Sequence, residues 1–435
     1  MKRNVCLLLC AVMMVMLFAG CQTEGPVEAT AETTLPQVPR ELKIGYGRVD
    51  ITPQESVPLR GLGGDTSDRM SKDVKDPLYA TCIAFTDETD NTILLFELDL
   101  AMCFGLATAY ARSDISKATG VPVAQIMVTA THNHSGPDLD NTKEPSIERY
   151  TESLRKWMVE AAEAAMADRK VATGLYQTSA QPANLNFVRH YVMGDGTIAG
   201  DNFGNYKDNP IVKHVLDADN QLQLVKFTRE GGKDIVLMNW QGHPRGHKDY
   251  KDSILSDVDV LRTKLEAELD CQFAFFLGAS GNVNNSSNIK SEQITANYKE
   301  HYEMLGQYAV NAAENFQKIE LGNLQILGQT YKCKAKENAN MTMDVTMFTI
   351  SFGDLAFVAA PYEMFSENGQ QIKEGSPFKT TFIATCANNM LYYVPSAATY
   401  AYDAYEIETG RLAQGSAEIL VAEYLTMLKQ LYETK

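Results

Sequence analysis

The chain has 435 residues, with 39 Lys and Arg against 55 Asp and Glu, a formal net charge of −16. That acidity argues against nucleic acid as a partner, because the phosphates would be repelled. The length is ample for a large buried core and would allow two or three domains.

Lys2 and Arg3 open the chain, an uncharged apolar run follows from Val5 to Phe18, and Leu17-Phe18-Ala19-Gly20-Cys21 closes it. Residues 1–20 therefore read as an export signal, too short for a membrane-spanning helix. Their end resembles a bacterial lipobox, so Cys21 is expected to carry lipid. The protein is then expected outside the cytoplasm, held to a membrane by that anchor. Residues 21–41, rich in Thr, Glu, Ala and Pro with no apolar period, are expected to form a flexible tether. Residues 42–435 are expected to form one domain, in which no stretch reaches about 18 uninterrupted apolar residues. Of the eight Cys, five lie there: Cys82, Cys103, Cys271, Cys333 and Cys386. They are scattered with no CxxC pair, which excludes a zinc ribbon and suggests buried free thiols.

Along this part, short apolar runs repeatedly end in a polar cluster. Thr92 to Leu98 precedes Asp99, and Ile126 to Ala130 precedes Thr131-His132-Asn133-His134. Ile235 to Trp240 precedes Gln241-Gly242-His243-Pro244, and Phe273 to Leu277 precedes Gly278-Ala279-Ser280-Gly281-Asn282. Leu355 to Ala359 precedes Ala360-Pro361-Tyr362-Glu363, and Thr381 to Thr385 leads toward Tyr392-Tyr393. Such runs, bounded by Gly, Pro and Asn, read as buried strands. Helical stripes lie between them at Ser146 to Asp168, Asp257 to Glu268, Glu292 to Phe316 and a C-terminal stretch carrying Leu420, Tyr424, Leu428 and Leu431. The alternation predicts an α/β fold, a mixed sheet covered by helices. Ligands in such folds bind beyond the carboxyl ends of strands, where the polar clusters fall, so the clusters are expected to form one site.

Three of the seven His lie in those clusters. His132 and His134, two apart, would share one face of an extended backbone. The pair suits a divalent metal, or one ligand plus one acid/base group. His243 and Glu363 would add a third nitrogen or a carboxylate, and two His with one carboxylate and an open position is a common hydrolytic zinc set.

Several blocks resemble the neutral/alkaline non-lysosomal ceramidase family. They are Ala130-Thr131-His132-Asn133-His134-Ser135-Gly136-Pro137, Gly47-Arg48-Val49-Asp50-Ile51-Thr52-Pro53, Arg60-Gly61-Leu62-Gly63-Gly64 and Asp76-Pro77-Leu78-Tyr79-Ala80. Arg189 with Asp195-Gly196-Thr197, His243-Pro244, Pro361-Tyr362-Glu363, and Tyr393 with Tyr405-Glu406 follow in the same order, so the resemblance spans about residues 43 to 410. It implies a zinc ion on His132, His243, Glu363 and Tyr393, with His134 as the nearby acid/base. It further implies that Arg189 and Tyr405 bind the substrate carbonyl and developing oxyanion. The activity implied is hydrolysis of a linear N-acyl amide by zinc-activated water, with a ceramide-like lipid as the first substrate.

Two departures bear on that substrate. Where the family has Gly-Asp-Val-Ser-Pro-Asn, this chain has Gly281-Asn282-Val283-Asn284-Asn285-Ser286, so Asn284 replaces the serine that family members use as nucleophile or substrate contact. The carboxamide of Asn284 is no nucleophile, but it can still hydrogen-bond substrate. The additional C-terminal β-sandwich domain of lipid-acting members is also expected to be missing. A zinc hydrolase of another exported N-acyl substrate, an acylated sugar or peptide, is the alternative enzyme. A surface binding lipoprotein without turnover is the alternative from another class.

Overall fold

The computed structural model describes residues 41–61, 69–103, 105–201, 206–244 and 250–435. The expected export signal, Cys21 and nearly all of the expected tether lie outside the described residues, as do Leu62, Gly63 and Gly64 of the glycine block.

Nine strands form the larger sheet: β1 (Lys43–Asp50), β2 (Tyr79–Thr86), β3 (Thr92–Leu98), β4 (Ile126–Ala130), β5 (Lys170–Ala180), β6 (Leu222–Arg229), β7 (Asp234–Trp240), β8 (Cys271–Leu277) and β9 (Gln317–Ile319). Their order is β8-β7-β6-β5-β1-β2-β3-β4, with β9 on β5. Only β3 with β4, and β7 with β8, are parallel. A second sheet has the order β10 (Leu324–Lys334), β11 (Thr342–Phe352), β12 (Leu355–Ala359) and β13 (Thr380–Ala384), with β12 and β13 parallel. The expected mixed α/β architecture is therefore present, with its sheet in two parts rather than one.

Side chains alternate between the faces of a strand, and here both faces are apolar. Ile83, Phe85, Ile93 and Leu95 point to a central core shared with Val225, Phe227, Leu237 and Phe276 and with Phe352, Phe357 and Phe382 of the second sheet. The intervening residues point outward and are covered by helices. Ala80, Cys82, Leu94 and Phe96 meet α1 (Gly105–Thr119) and α2 (Pro145–Ala167). Met238, Trp240, Phe273 and Phe275 meet α3 (Asp257–Leu269) and α4 (Tyr298–Ala313). Val345, Met347 and Val358 meet α5 (Ser366–Gly375) and α7 (Ser416–Glu433). Burial on both faces explains the near-continuous apolar runs. Cys82, Cys103, Cys271, Cys333 and Cys386 are buried free thiols, as their apolar settings suggested.

The larger sheet curls until its edge strand β8 touches β3 and β4 at the opposite edge. The second sheet closes against the same seam: the Thr385 amide donates to Leu277 O, and the Asn388 amide to Val128 O. The carboxyl ends of β4, β7, β8, β12 and β13 thus open into one region. Asp99, at the end of β3, goes elsewhere. It is bonded to the buried guanidinium of Arg262 on α3, at 2.9 Å and 3.1 Å, so this polar cluster belongs to an internal ion pair and not to the site.

Candidate metal centre

His132, His134 and His243 meet at that junction. Their Nε2 atoms are 3.0 Å (His132–His243), 3.1 Å (His132–His134) and 3.1 Å (His134–His243) apart. His132 and His243 are 1% exposed and His134 is 9% exposed, so His134 is the least buried residue of the three. The pair at 132 and 134 does not converge by the pleat of a strand, as its spacing suggested. The strand stops at Ala130, and His132 lies at φ +65°, in the left-handed region. A non-glycine residue there carries strain of about 1–3 kcal/mol, tolerated where the surroundings fix the geometry, commonly at ligand sites. Gly61, with φ +122°, packs against His134, where an added Cβ would fall 2.4 Å from the His134 Cβ. Only glycine fits there, which accounts for that part of the glycine block.

The tautomers follow from the partners. A carbonyl only accepts, so His132 Nδ1–H donates to Ala101 O at 2.7 Å and His243 Nδ1–H to Ser280 O at 3.4 Å. Both Nε2 atoms then carry lone pairs, pointed at one another across 3.0 Å. Such an arrangement is repulsive unless a cation lies between, and ring N–H groups held by carbonyls are how metal-binding imidazoles are usually oriented. Glu363 Oε2 is 3.3 Å from His132 Nε2. Both carboxylate oxygens of Glu363 are buried and have no hydrogen-bond donor among the described residues. A buried carboxylate in that condition needs a positive partner. Without a cation the cluster takes up a proton in its place: burial acts to lower the His132 pKa, but the Glu363 carboxylate and Cys386 outweigh it and raise the pKa well above the ordinary imidazole value. The pocket therefore favours positive charge, and the three His can hold a metal ion.

Glu363 heads a two-residue strand paired in parallel with Tyr393–Val394, which sets Glu363 beside Tyr393. Tyr392, the preceding residue, is also at positive φ, +60°. Burial and the Glu363 charge push the Tyr393 phenol pKa well up. Tyr405, 39% exposed, stands over Tyr393 with ring centroids 5.8 Å apart. All four residues of the implied ligand set, with His134 and Tyr405, are thus brought together.

Arg189 is 4% exposed and built in from several sides. Nε donates to Glu406 Oε1, Nη1 to Asn284 Oδ1 at 3.3 Å, and Nη2 to Gly281 O at 2.7 Å and Tyr393 OH at 3.2 Å. A guanidinium has five N–H groups, and these bonds use four of them. Asn284 is bridged to His243 and donates to Asp201 Oδ2 at 3.0 Å. It replaces the expected serine as a bonded wall of the site. Asn282 is likewise engaged, accepting from the Ser366 amide and donating to Glu367. Glu406, next to Tyr405, had no expected role but pairs with Arg189 and His190. It is 2% exposed, and although burial works to raise its pKa, Arg189 and His190 hold it down to about 2. A buried Arg demands a counter-charge, but the burial of Arg189 is set by packing between distant segments and gave no local signal for Glu406.

Solved structures supply the comparison for this fold. The neutral ceramidase from Pseudomonas aeruginosa matches with a TM-score of 0.73 and 15% identity, over 91% of this chain and 75% of that one. The fold is that of neutral ceramidase. A ceramidase complexed with C2 matches with a TM-score of 0.73 and 14% identity, over 91% of this chain and 76% of that one. No family model and no curated protein matches the chain.

Proposed function

We propose that this protein is a zinc-dependent hydrolase of linear N-acyl amides, with ceramide-like lipids as the leading substrate class. The observation that carries the reading is the buried triangle of Nε2 atoms beside the unbonded Glu363 carboxylate. Nitrogen and carboxylate donors of this kind suit zinc, and His132, His243, Glu363 and Tyr393 would hold it. Bound there, zinc would supply a water of pKa roughly 7 and polarise the amide carbonyl.

The chain's own residues do the rest. His134, the least buried of the three, moves a proton between the attacking water and the leaving amine nitrogen. The Tyr405 hydroxyl donates to the carbonyl oxygen as charge develops on it. Arg189 orients Tyr393 and Asn284. The ceramidase fold supports ceramide-like amides as the class. The experiment is a panel of N-acyl sphingoid bases, N-acyl sugars and acyl peptides assayed with the purified, zinc-loaded protein. Cleavage of the sphingoid amide at the highest kcat/KM is expected. A preference for the sugar or peptide amides would move the substrate class, and turnover of none would leave a binding protein.

The export signal and Cys21 support a membrane-anchored, extracytoplasmic location for this enzyme. Cys21→Ala is expected to release the protein from the membrane fraction or to leave the precursor uncut. Unchanged processing and membrane association would refute lipidation at that residue.

A further inference from the structure

We propose that Glu406 is a positioning residue of this site, holding Arg189 and, through it, the Tyr393 phenol and the Asn284 amide beside Glu363 and His243. The inference rests on the hydrolase reading for its kinetic consequences but not for its geometric one. Of the two side chains that Arg189 grips, Tyr393 is itself a proposed metal ligand, and both stand directly beside another one. Tyr393 is paired with Glu363, and Asn284 is bridged to His243. They come from segments far apart in the chain, and Arg189 also bonds Gly281 O between them.

Three acceptors lie along the Nη edge of the guanidinium, and its Nε edge is held separately. Glu406 does this from α6 (Tyr405–Thr409), with one oxygen on Arg189 Nε and the other 3.1 Å from His190 Nε2. His190 adjoins Arg189 in the chain, so the carboxylate is fixed by two successive residues. Glu406 is also the residue next to Tyr405, so the same short helix that presents the substrate-facing phenol carries the anchor. Partners that orient groups at a metal site typically matter by about 10–100-fold in metal affinity or activity.

The test uses Glu406→Gln, which keeps the shape and removes the charge. Its crystal structure is expected to show Arg189 Nη2 withdrawn from hydrogen-bond reach of Tyr393 OH. Chelator competition is expected to show zinc affinity lowered by about 10–100-fold, with kcat falling in step and KM changing less. Glu406→Asp, which keeps the charge, is expected to recover part of the lost kcat. An intact Arg189–Tyr393 contact in Glu406→Gln would overturn the proposal. So would a lowered Tm with wild-type zinc affinity, which marks a purely structural ion pair. If the wild-type protein holds no zinc, the hydrolase reading fails, and the contact seen in Glu406→Gln alone decides this one.

Discussion

His134→Ala is expected to lower turnover of an N-acyl amide by about 10²–10⁴-fold, the usual contribution of a general acid/base, while the protein keeps its zinc. The expectation rests on asymmetry among the three imidazoles. His132 and His243 are sealed at 1% exposure, and His132 also lies against Glu363; His134 is 9% exposed. It is the one placed to pass a proton to a substrate. Steady-state kinetics with zinc measured on the same sample separate the roles. Zinc lost from His134→Ala as readily as from His132→Ala would make His134 a third nitrogen ligand, which its 3.1 Å distances from the other two also permit.

The second large effect is on stability. Arg262→Ala is expected to destabilise the fold by about 3–5 kcal/mol, the cost of leaving buried charges uncompensated. Arg262 lies between Glu97 Oε1 at 3.3 Å and both oxygens of Asp99, and these carboxylates are 1% and 0% exposed. Burial and the Asp99 charge already push the Glu97 pKa up to about 8. Without the guanidinium the buried Asp99 carboxylate would lose its cation, leaving the Tyr79 amide at 3.0 Å as a weaker partner. Urea unfolding at pH 7 measures the loss. A change below about 1 kcal/mol, the level of an exposed pair, would show that the cluster is solvated or rearranges.

What the sequence disclosed follows burial. Strands apolar on both faces, such as Thr92–Leu98, Ile126–Ala130 and Leu355–Ala359, have the ends their apolar runs indicated. The hairpin of Leu324–Lys334 and Thr342–Phe352 was not read, because much of it is half exposed and its composition mixed. The helix Gly105–Thr119 was missed for a similar reason: it buries only Thr108, Ala111 and Ile115. The helix expected from Glu292 begins at Tyr298 instead. There Asn297 caps the Glu300 amide at 3.0 Å while Glu300 reaches back to the Ala296 amide, a start signal more local than the apolar stripe.

The site was legible to a different depth. Histidines at strand ends could be grouped, because parallel strands in a layered fold deliver their ends to a common region. The turn at His132 could not be read, because a positive φ is uncommon at any non-glycine residue, even at His, where it is enriched. Nor could Asp99 be told from its counterparts, since its partner Arg262 lies 163 residues away. The commitment of Arg189 to Glu406, Tyr393, Gly281 and Asn284 is likewise a property of packing between segments distant in sequence.

The central claim is that the imidazole triangle and Glu363 hold a catalytic metal ion, and elemental analysis of purified protein tests it most directly. The account predicts about one tightly bound zinc per chain, the stoichiometry of a single catalytic site, and its loss from His132→Ala and from His243→Ala with the fold retained. Full zinc in both variants, or none in the wild-type protein after zinc loading, would contradict it.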